Sequence, residues 1–348
     1  MVDRITDIWG TRTPFEREAE WPSRVDYALQ EGLTEGDVDH WVQSACVLCS
    51  NGCGCDIAVK DGVMVGIRGR AEDRINKGRL GPKGLFASWQ GVSNMDRLTH
   101  PLIREAGELV PTDWDTAMKQ IVARSKQLLK EKGPLSHGFY TSGQLFLEEY
   151  YALGVIGKAG IGTPHMDGNT RLCTATAASA LKETFGADGQ PGAYEDIDNC
   201  DAIFLYGHNM PETQTVLWAR ILDRLSGPTP PKLVCVDPRN TEAARFADVH
   251  LAVRPGTNLA LMHALVREVL HNGWEDPTYI QEHTLGYDEL KSIVEEWTPE
   301  AAAEVCGVGA HDIRKGRPHL RHLGSGTVHR FTGVLPIVTG HSFLLPGQ

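Results

Sequence analysis

Polar and apolar positions alternate along Asp56–Gly69, DIAVKDGVMVGIRG, where two runs rich in β-branched residues flank Lys60-Asp61-Gly62. Alternation around an Asp-Gly pair predicts a β-hairpin. From Trp114 the period lengthens. Trp114 to Lys130 repeats apolar positions at helical spacing, with Asp113 placed to cap the first turn. HGFYTSG (137–143) reads as a buried strand ending at Gly143, followed by a helix through Tyr151. DAIFLYG (201–207) and KLVCVD (232–237) read as short apolar strands, with helices near Thr213–Leu225 and Leu259–Asn272. Strands alternating with helices predict an α/β architecture with a parallel, doubly wound sheet. Ligands of such sheets gather beyond the carboxyl ends of the strands. Those ends are Gly207-His208-Asn209, Asp237-Pro238-Arg239-Asn240-Thr241 and Arg254-Pro255-Gly256-Thr257-Asn258.

The flanking regions lack this regularity. Residues 1–40 are polar, punctuated by Trp and Pro, and read as an irregular arm laid over something larger; residues 41–104 are loop-rich and hold four of the eight cysteines. A small unit of that kind rarely buries enough apolar surface to stand alone, and a metal cluster is a usual remedy. Residues 315–348 contain no Asp or Glu, although the first 314 hold all 45 and a stretch of 34 should carry about five. A slip of one nucleotide near Ile313–Lys315 would restore acidic residues and a helix-like continuation, so the tail is expected to be frameshifted.

Charge and cysteine usage narrow the function. With 34 basic and 45 acidic residues among 348, the net charge of −11 argues against a nucleic acid as partner. There is no run of 18 apolar residues, so no membrane span is expected. The start, MVDRITDIWGTRTPF, has neither an apolar signal region nor a twin arginine, which predicts a cytoplasmic protein. Eight cysteines in that setting point to metal or redox chemistry before disulfides.

Cys46-x2-Cys49-x3-Cys53 brings three thiolates to one loop, as an iron–sulfur cluster requires. Zinc would prefer two separated pairs, and no second C-x2-C is present. Cys55 offers another thiolate, cramped by its closeness to Cys53. Taken alone, Cys173 is an ordinary small core residue, and Cys200, Cys235 and Cys306 read as core or strand cysteines. The absence of G-x-G-x-x-G gives an ordinary nicotinamide site no support.

The segment CVLCSNGCGCDIAVKDGVMVGIRGRAEDRINKGRLGPKG, followed by MDRLTHPLIR, resembles the N-terminal iron–sulfur domain of the molybdopterin oxidoreductases, which include nitrate reductase and formate dehydrogenase. The resemblance runs from about Ala45 to Arg314. Between the irregular arm (1–40) and the atypical tail (315–348), it implies an iron–sulfur domain (41–104), the first part of a molybdopterin α/β domain (105–195) and a Rossmann-like guanine-dinucleotide-binding domain (196–314). The family usually supplies its fourth cluster ligand in G-R-L-C-x-K-G, and here Gly81 stands in the place of that cysteine. The open options are a 3Fe-4S cluster, a 4Fe-4S cluster with Cys55 or another fourth ligand, or no cluster. By resemblance Lys83 is a charged link between cluster and pterin. Cys173, in N-x-R-L-C, matches the segment that ligates molybdenum, and Ser142, Gly143 and Gln144 match a turn beside the pterin. Gly207, His208, Asn209, Asp237, Arg239, Thr241, Gly256, Thr257 and Asn258 resemble the guanine-dinucleotide loops.

The resemblance therefore implies Mo-bis-molybdopterin guanine dinucleotide as cofactor, with electrons arriving through an iron–sulfur cluster from a ferredoxin or flavoprotein. A cysteine ligand, with no export signal, favours an assimilatory nitrate reductase; a formate dehydrogenase-like subunit is the alternative. Family chains run to roughly twice this length, which leads us to expect a truncated, inactive form. Two non-catalytic classes stand beside these: an iron–sulfur electron-transfer or scaffold protein, and an accessory protein that delivers the pterin.

Overall fold

The computed structural model describes residues 7–49, 51–90, 98–143, 145–189, 192–316 and 335–338. The chain divides into two compact units, one formed by Met1–Val92 with Thr176–Gln348 and the other by Ser93–Ala175.

In the first unit β1 (Tyr27–Leu29), β2 (His40–Cys46), β3 (Cys53–Lys60) and β4 (Val63–Gly69) form an antiparallel sheet in the order β1-β4-β3-β2. The predicted hairpin is β3–β4. Its two turn residues, Asp61 and Gly62, both have positive φ, 52° and 74°. That left-handed pair suits the right-handed twist of the flanking strands and explains the Asp-Gly choice. The arm is anchored by burial of Phe15 and Trp21 in the core that also holds Ile67, Leu80 and Leu85.

The second unit opens with the hairpin of β5 (Leu102–Glu105) and β6 (Glu108–Pro111). A helix follows over Trp114–Lys132, where Asp113 accepts from Thr116 N at 2.7 Å, satisfying one of the otherwise unpaired first-turn donors. Next, β7 (Phe139–Thr141) pairs parallel with β8 (Met166–Gly168), and the helix Leu147–Gly154 between them runs on into a π-helical turn, Val155–Ile161. β7 is shorter and more open than its sequence suggests, with Tyr140 69% exposed. Among the described residues this sheet has two strands, too few to enclose both faces of the apolar run.

The chain then returns to the first unit. β9 (Ala202–Tyr206), β10 (Lys232–Val236), β11 (Val249–Leu251) and β12 (Leu335–Val338) form a wholly parallel sheet in the order β11-β10-β9-β12. Successive residues of β9 enter different cores. Ile203 and Leu205 pack with Leu217, Trp218 and Ile221 of the helix Thr215–Leu225; Ala202 and Phe204 pack with Leu261, Ala264 and Leu265 of the helix Asn258–His271. The pleat sends neighbours to opposite faces, and a helix covers each face, as a doubly wound sheet requires. Cys200, Cys235 and Cys306 are buried in these cores. Of the atypical tail, residues 317–334 and 339–348 lie outside the described residues. Leu335–Val338 forms a strand that the sequence pattern does not announce, placing Pro336 on the edge of the sheet, where a missing N–H is tolerated.

Candidate functional site

Cys46 closes β2 and Cys53 opens β3, and the two are directly paired in the register, so the loop carrying Cys49 is held at both ends. Cys53 and Cys55 lie on one face of β3 and are buried, whereas Cys46 and Cys49 are half-buried. The loop is latched from below. Asn76 accepts from Gly54 N at 3.2 Å and donates to Gly54 O at 3.0 Å and Arg79 O at 2.6 Å. Asp73 Oδ1 in turn accepts from Ile75 N and Asn76 N. Gly54 leaves no room for a side chain, because a Cβ there would stand 2.5 Å from Asp73 Oδ2.

All the described cysteines are free thiols. Burial first, then the charges of Cys49 and Cys46, push the Cys53 thiol far above its usual range; burial and Cys46 push Cys55 up to about 12. Burial likewise raises Cys46, against the pull of Lys83. These thiols are therefore protonated at neutral pH when no metal is bound. A metal that bound them would have to displace their protons, so such binding would strengthen as pH rises. Among the described residues no three His, Cys, Asp or Glu side chains converge on a point that would suit a single ion. A multi-iron cluster is larger and draws its thiolates from further apart. A soft donor set of three cysteines on a rigid hairpin end fits such a cluster.

The segment after the latch completes this wall. Gly84 lies against Cys46, with its Cβ position 3.4 Å from Sγ. Lys83 donates to Glu212 O at 2.7 Å, which ties the cysteine side of the unit to the turn after β9. At Gly81 a Cβ would fall 1.9 Å from Thr215 Oγ1. Cys49 Sγ lies 3.2 Å from Asn51 Oδ1, to which it donates, and 3.8 Å from Thr215 Oγ1. Asn51, Asp73, Asn76 and Thr215 escape a reading of the sequence. Asn76 and Asp73 could be suspected only from their closeness to the glycines of the segment, and Thr215 carries no signal at all.

On the parallel sheet of the same unit, three predicted loops sit side by side because β9, β10 and β11 are adjacent. Gly207 turns with φ 57° and donates to Val236 O, His208 is buried, and Asn209 O accepts from Glu212 N and Thr213 N. Asp237, also buried, accepts from Arg239 N at 2.8 Å, while the Arg239 guanidinium stays largely in solvent. Thr241 caps the helix Glu242–Phe246 by accepting from Ala244 N. Gly256 has φ 86° with open space where a Cβ would be, Thr257 donates to Arg254 O at 2.7 Å, and Asn258 opens its helix. Together they make a polar edge of backbone groups, one buried carboxylate and exposed cations.

In the other unit, parallel pairing of β7 with β8 sets the two remaining predicted segments together. Gly143 N donates to Asn169 Oδ1 at 2.8 Å, and Asn169 N donates to Thr141 O at 3.0 Å. Ser142 O accepts from Tyr150 Oη at 2.6 Å. The short helix Thr170–Cys173 starts there, with Cys173 N donating to Asn169 O, and ends on an exposed Cys173 thiol. Gln144 lies outside the described residues. A Cβ at Gly143 would meet Thr170 Cγ2 at 2.5 Å. Gly143→Ala should accordingly cost about 1–3 kcal/mol of stability by overpacking, read as a lower urea midpoint with an unchanged slope. A change below about 0.5 kcal/mol would show that the two segments are not held together.

Two family matches cover most of the chain. Residues 39–91 match the molybdopterin oxidoreductase Fe4S4 domain and residues 97–335 match molybdopterin oxidoreductase. The chain is 34% identical over 307 residues to a nitrate reductase of Symbiobacterium thermophilum, covering 86% of this chain and 40% of that protein. It is 35% identical over 286 residues to a periplasmic nitrate reductase of Desulfovibrio desulfuricans, covering 79% and 38%. It is 30% identical over 300 residues to the alpha subunit of an F420-dependent formate dehydrogenase of Methanococcus maripaludis, covering 86% and 44%. The chain thus spans well under half the length of these relatives. In fold it is similar to acetylene hydratase from Pelobacter acetylenicus, with a TM-score of 0.67 and 23% identity over 80% of this chain and 38% of that one. Among the described residues no helix is long and apolar enough to cross a membrane.

Proposed function

Because this chain belongs to the molybdopterin oxidoreductases, we propose that it forms the cluster-bearing and cofactor-binding part of a nitrate reductase. One observation carries the reading. The β7–β8 pairing sets Gly143 on Asn169 and ends the same segment on an exposed, free Cys173, a soft ligand ready for a metal already surrounded by sulfur. In this reading Cys173 ligates molybdenum, and the turn Ser142-Gly143-Gln144 lies along the pterin. Gly207, His208, Asn209, Asp237, Arg239, Thr241, Gly256, Thr257 and Asn258 receive the guanine dinucleotide. Cys46, Cys49 and Cys53 hold the iron–sulfur cluster. Lys83, tethered to Glu212 O beside the cysteine loop, keeps a positive charge on the electron path. When bound, the molybdenum centre supplies two-electron chemistry on the substrate; the protein fixes its position and brings electrons from a ferredoxin or flavoprotein. Nitrate reductases at 34% and 35% identity support nitrate as substrate.

The formate dehydrogenase relative favours a second reading, in which the same site oxidises formate. Both are tested on the chain produced in a host that makes the molybdenum cofactor, beside Cys173→Ala. The expected result is bound molybdenum and guanine nucleotide without turnover in the chain alone, viologen-dependent nitrate reduction once it is joined to the remaining part that its relatives carry, and loss of that activity in Cys173→Ala. Formate oxidation without nitrate reduction would select the second reading. Equal molybdenum binding and equal activity in both proteins would overturn the assignment of Cys173.

A further inference from the structure

Asn51 lies inside the cysteine loop, two residues after Cys49 and two before Cys53. Gly52 follows it with φ 73°, a left-handed turn that leads the chain into β3. Asn51 is only 3% exposed, and its Oδ1 accepts from Cys49 Sγ at 3.2 Å. Its Nδ2 is buried and has no partner among the described residues. A buried amide donor normally has an acceptor, so this side chain is half satisfied. Ligation of iron changes what faces it. A cysteine binds metal as the thiolate. Oδ1 would then meet a sulfur that has no hydrogen to share, one acceptor against another. A half-turn of the amide about its last torsion exchanges Oδ1 for Nδ2 at the sulfur. The nitrogen gains the acceptor it lacks, and the thiolate gains a donor. Thr215 Oγ1 is the other polar contact of this sulfur and the longer one, at 3.8 Å.

We propose that Asn51 is a positioning residue of the iron–sulfur site, whose side-chain amide donates to the Cys49 thiolate and raises the reduction potential of the cluster. The inference rests on the reading that Cys46, Cys49 and Cys53 hold a cluster. On ligation the Cys49 proton passes to water, while the amide keeps its own. Reduction adds one electron from an external donor and makes or breaks no bond. It also adds negative charge to the cluster and its sulfurs. A hydrogen-bond donor at one sulfur therefore stabilises the reduced form more than the oxidised form. The low dielectric around a buried side chain enlarges that preference.

The test uses the full chain reconstituted anaerobically with iron and sulfide, as wild type, Asn51→Leu and the triple variant Cys46→Ala/Cys49→Ala/Cys53→Ala. Leucine keeps the shape of the asparagine side chain and removes both polar atoms. Wild type is also prepared with asparagine carrying nitrogen-15 in its side-chain amide. Pulsed electron paramagnetic resonance then reads the nuclei coupled to the paramagnetic state of the cluster. Wild type should show a coupled amide nitrogen and an exchangeable proton, both absent from Asn51→Leu. The midpoint of Asn51→Leu, titrated with dithionite, should fall by about 59 mV, a tenfold change in equilibrium constant for one electron. A wild-type cluster with no coupled asparagine nitrogen would overturn the proposal, even if Asn51→Leu failed to hold iron. An unchanged midpoint in Asn51→Leu would overturn it too, and either result would leave the three-cysteine cluster intact. No more iron in wild type than in the triple variant would overturn the cluster reading, and this proposal with it.

Discussion

Asp223→Ala should destabilise the protein by about 3–5 kcal/mol, because it strips a buried arginine of its counter-charge. Asp223 lies on the helix that begins at Thr215, and its carboxylate serves three partners at once. Oδ1 accepts from Thr13 N at 2.8 Å, and Oδ2 accepts from Trp21 Nε1 at 3.0 Å and from Arg79 Nη2 at 3.4 Å. Both members of the Arg79–Asp223 pair are almost fully buried. Burial draws the Arg79 pKa down to about 10 even with Asp223 in place. Arg79 also lies over the Trp21 ring, 4.3 Å from its centroid, and sits two residues before Gly81. One carboxylate thus joins the N-terminal arm, the segment behind the cysteine loop and the helix that carries Thr215. Urea unfolding should show the loss as a lower midpoint, and Asp223→Asn, which keeps one acceptor oxygen, should lose less. A loss below about 1 kcal/mol for Asp223→Ala would mean that the arm is not held by this carboxylate.

A second loss of similar size, about 3–5 kcal/mol, is expected for Asp198→Ala. Asp198 takes a two-pronged bond from Arg220, 2.8 Å from Nε to Oδ1 and 2.5 Å from Nη2 to Oδ2, and both side chains are buried. Its backbone carbonyl also accepts from Arg224 Nε and from Glu18 N, binding the arm a second time. Removing the carboxylate alone leaves the Arg220 charge buried and unpaired. Replacing both partners by apolar residues, Asp198→Leu/Arg220→Met, removes that penalty. The double variant should therefore be more stable than Asp198→Ala, and a double variant less stable than the single one would contradict the argument. The Arg220 guanidinium lies 5.0 Å from the Trp21 centroid, so this variant and Asp223→Ala share a neighbour and their effects should not simply add.

The sequence is informative wherever a short segment determines its own shape. The Asp61-Gly62 turn, the Asp113 and Thr241 caps and the strands β9 and β10 follow from neighbouring residues, and the doubly wound sheet follows from their order. The grouping of Cys46, Cys49 and Cys53 is legible for the same reason, because spacing alone puts them on one loop. The arm is legible only in part. Its irregularity shows in the sequence, but the indoles of Trp9 and Trp21 find their partners, Glu242 and Asp223, more than 200 positions away. Thr215 beside Gly81 and Asp223 beside Arg79 are contacts of that long-range kind. Each belongs to a helix whose own pattern explains it fully as an amphipathic segment. Cys173 is different again. Its local sequence gives a small residue at a helix end, and only its resemblance to a ligating segment singles it out.

The most direct measurement of the central claim is the iron and acid-labile sulfide retained by the anaerobically reconstituted chain after desalting, beside Cys46→Ala/Cys49→Ala/Cys53→Ala. Matching amounts of iron and sulfide that stay with the wild-type chain and are absent from the triple variant are the predicted result. Iron and sulfide no higher in the wild type than in the triple variant would contradict the account, and would leave the hairpin end as a structural element with no cluster.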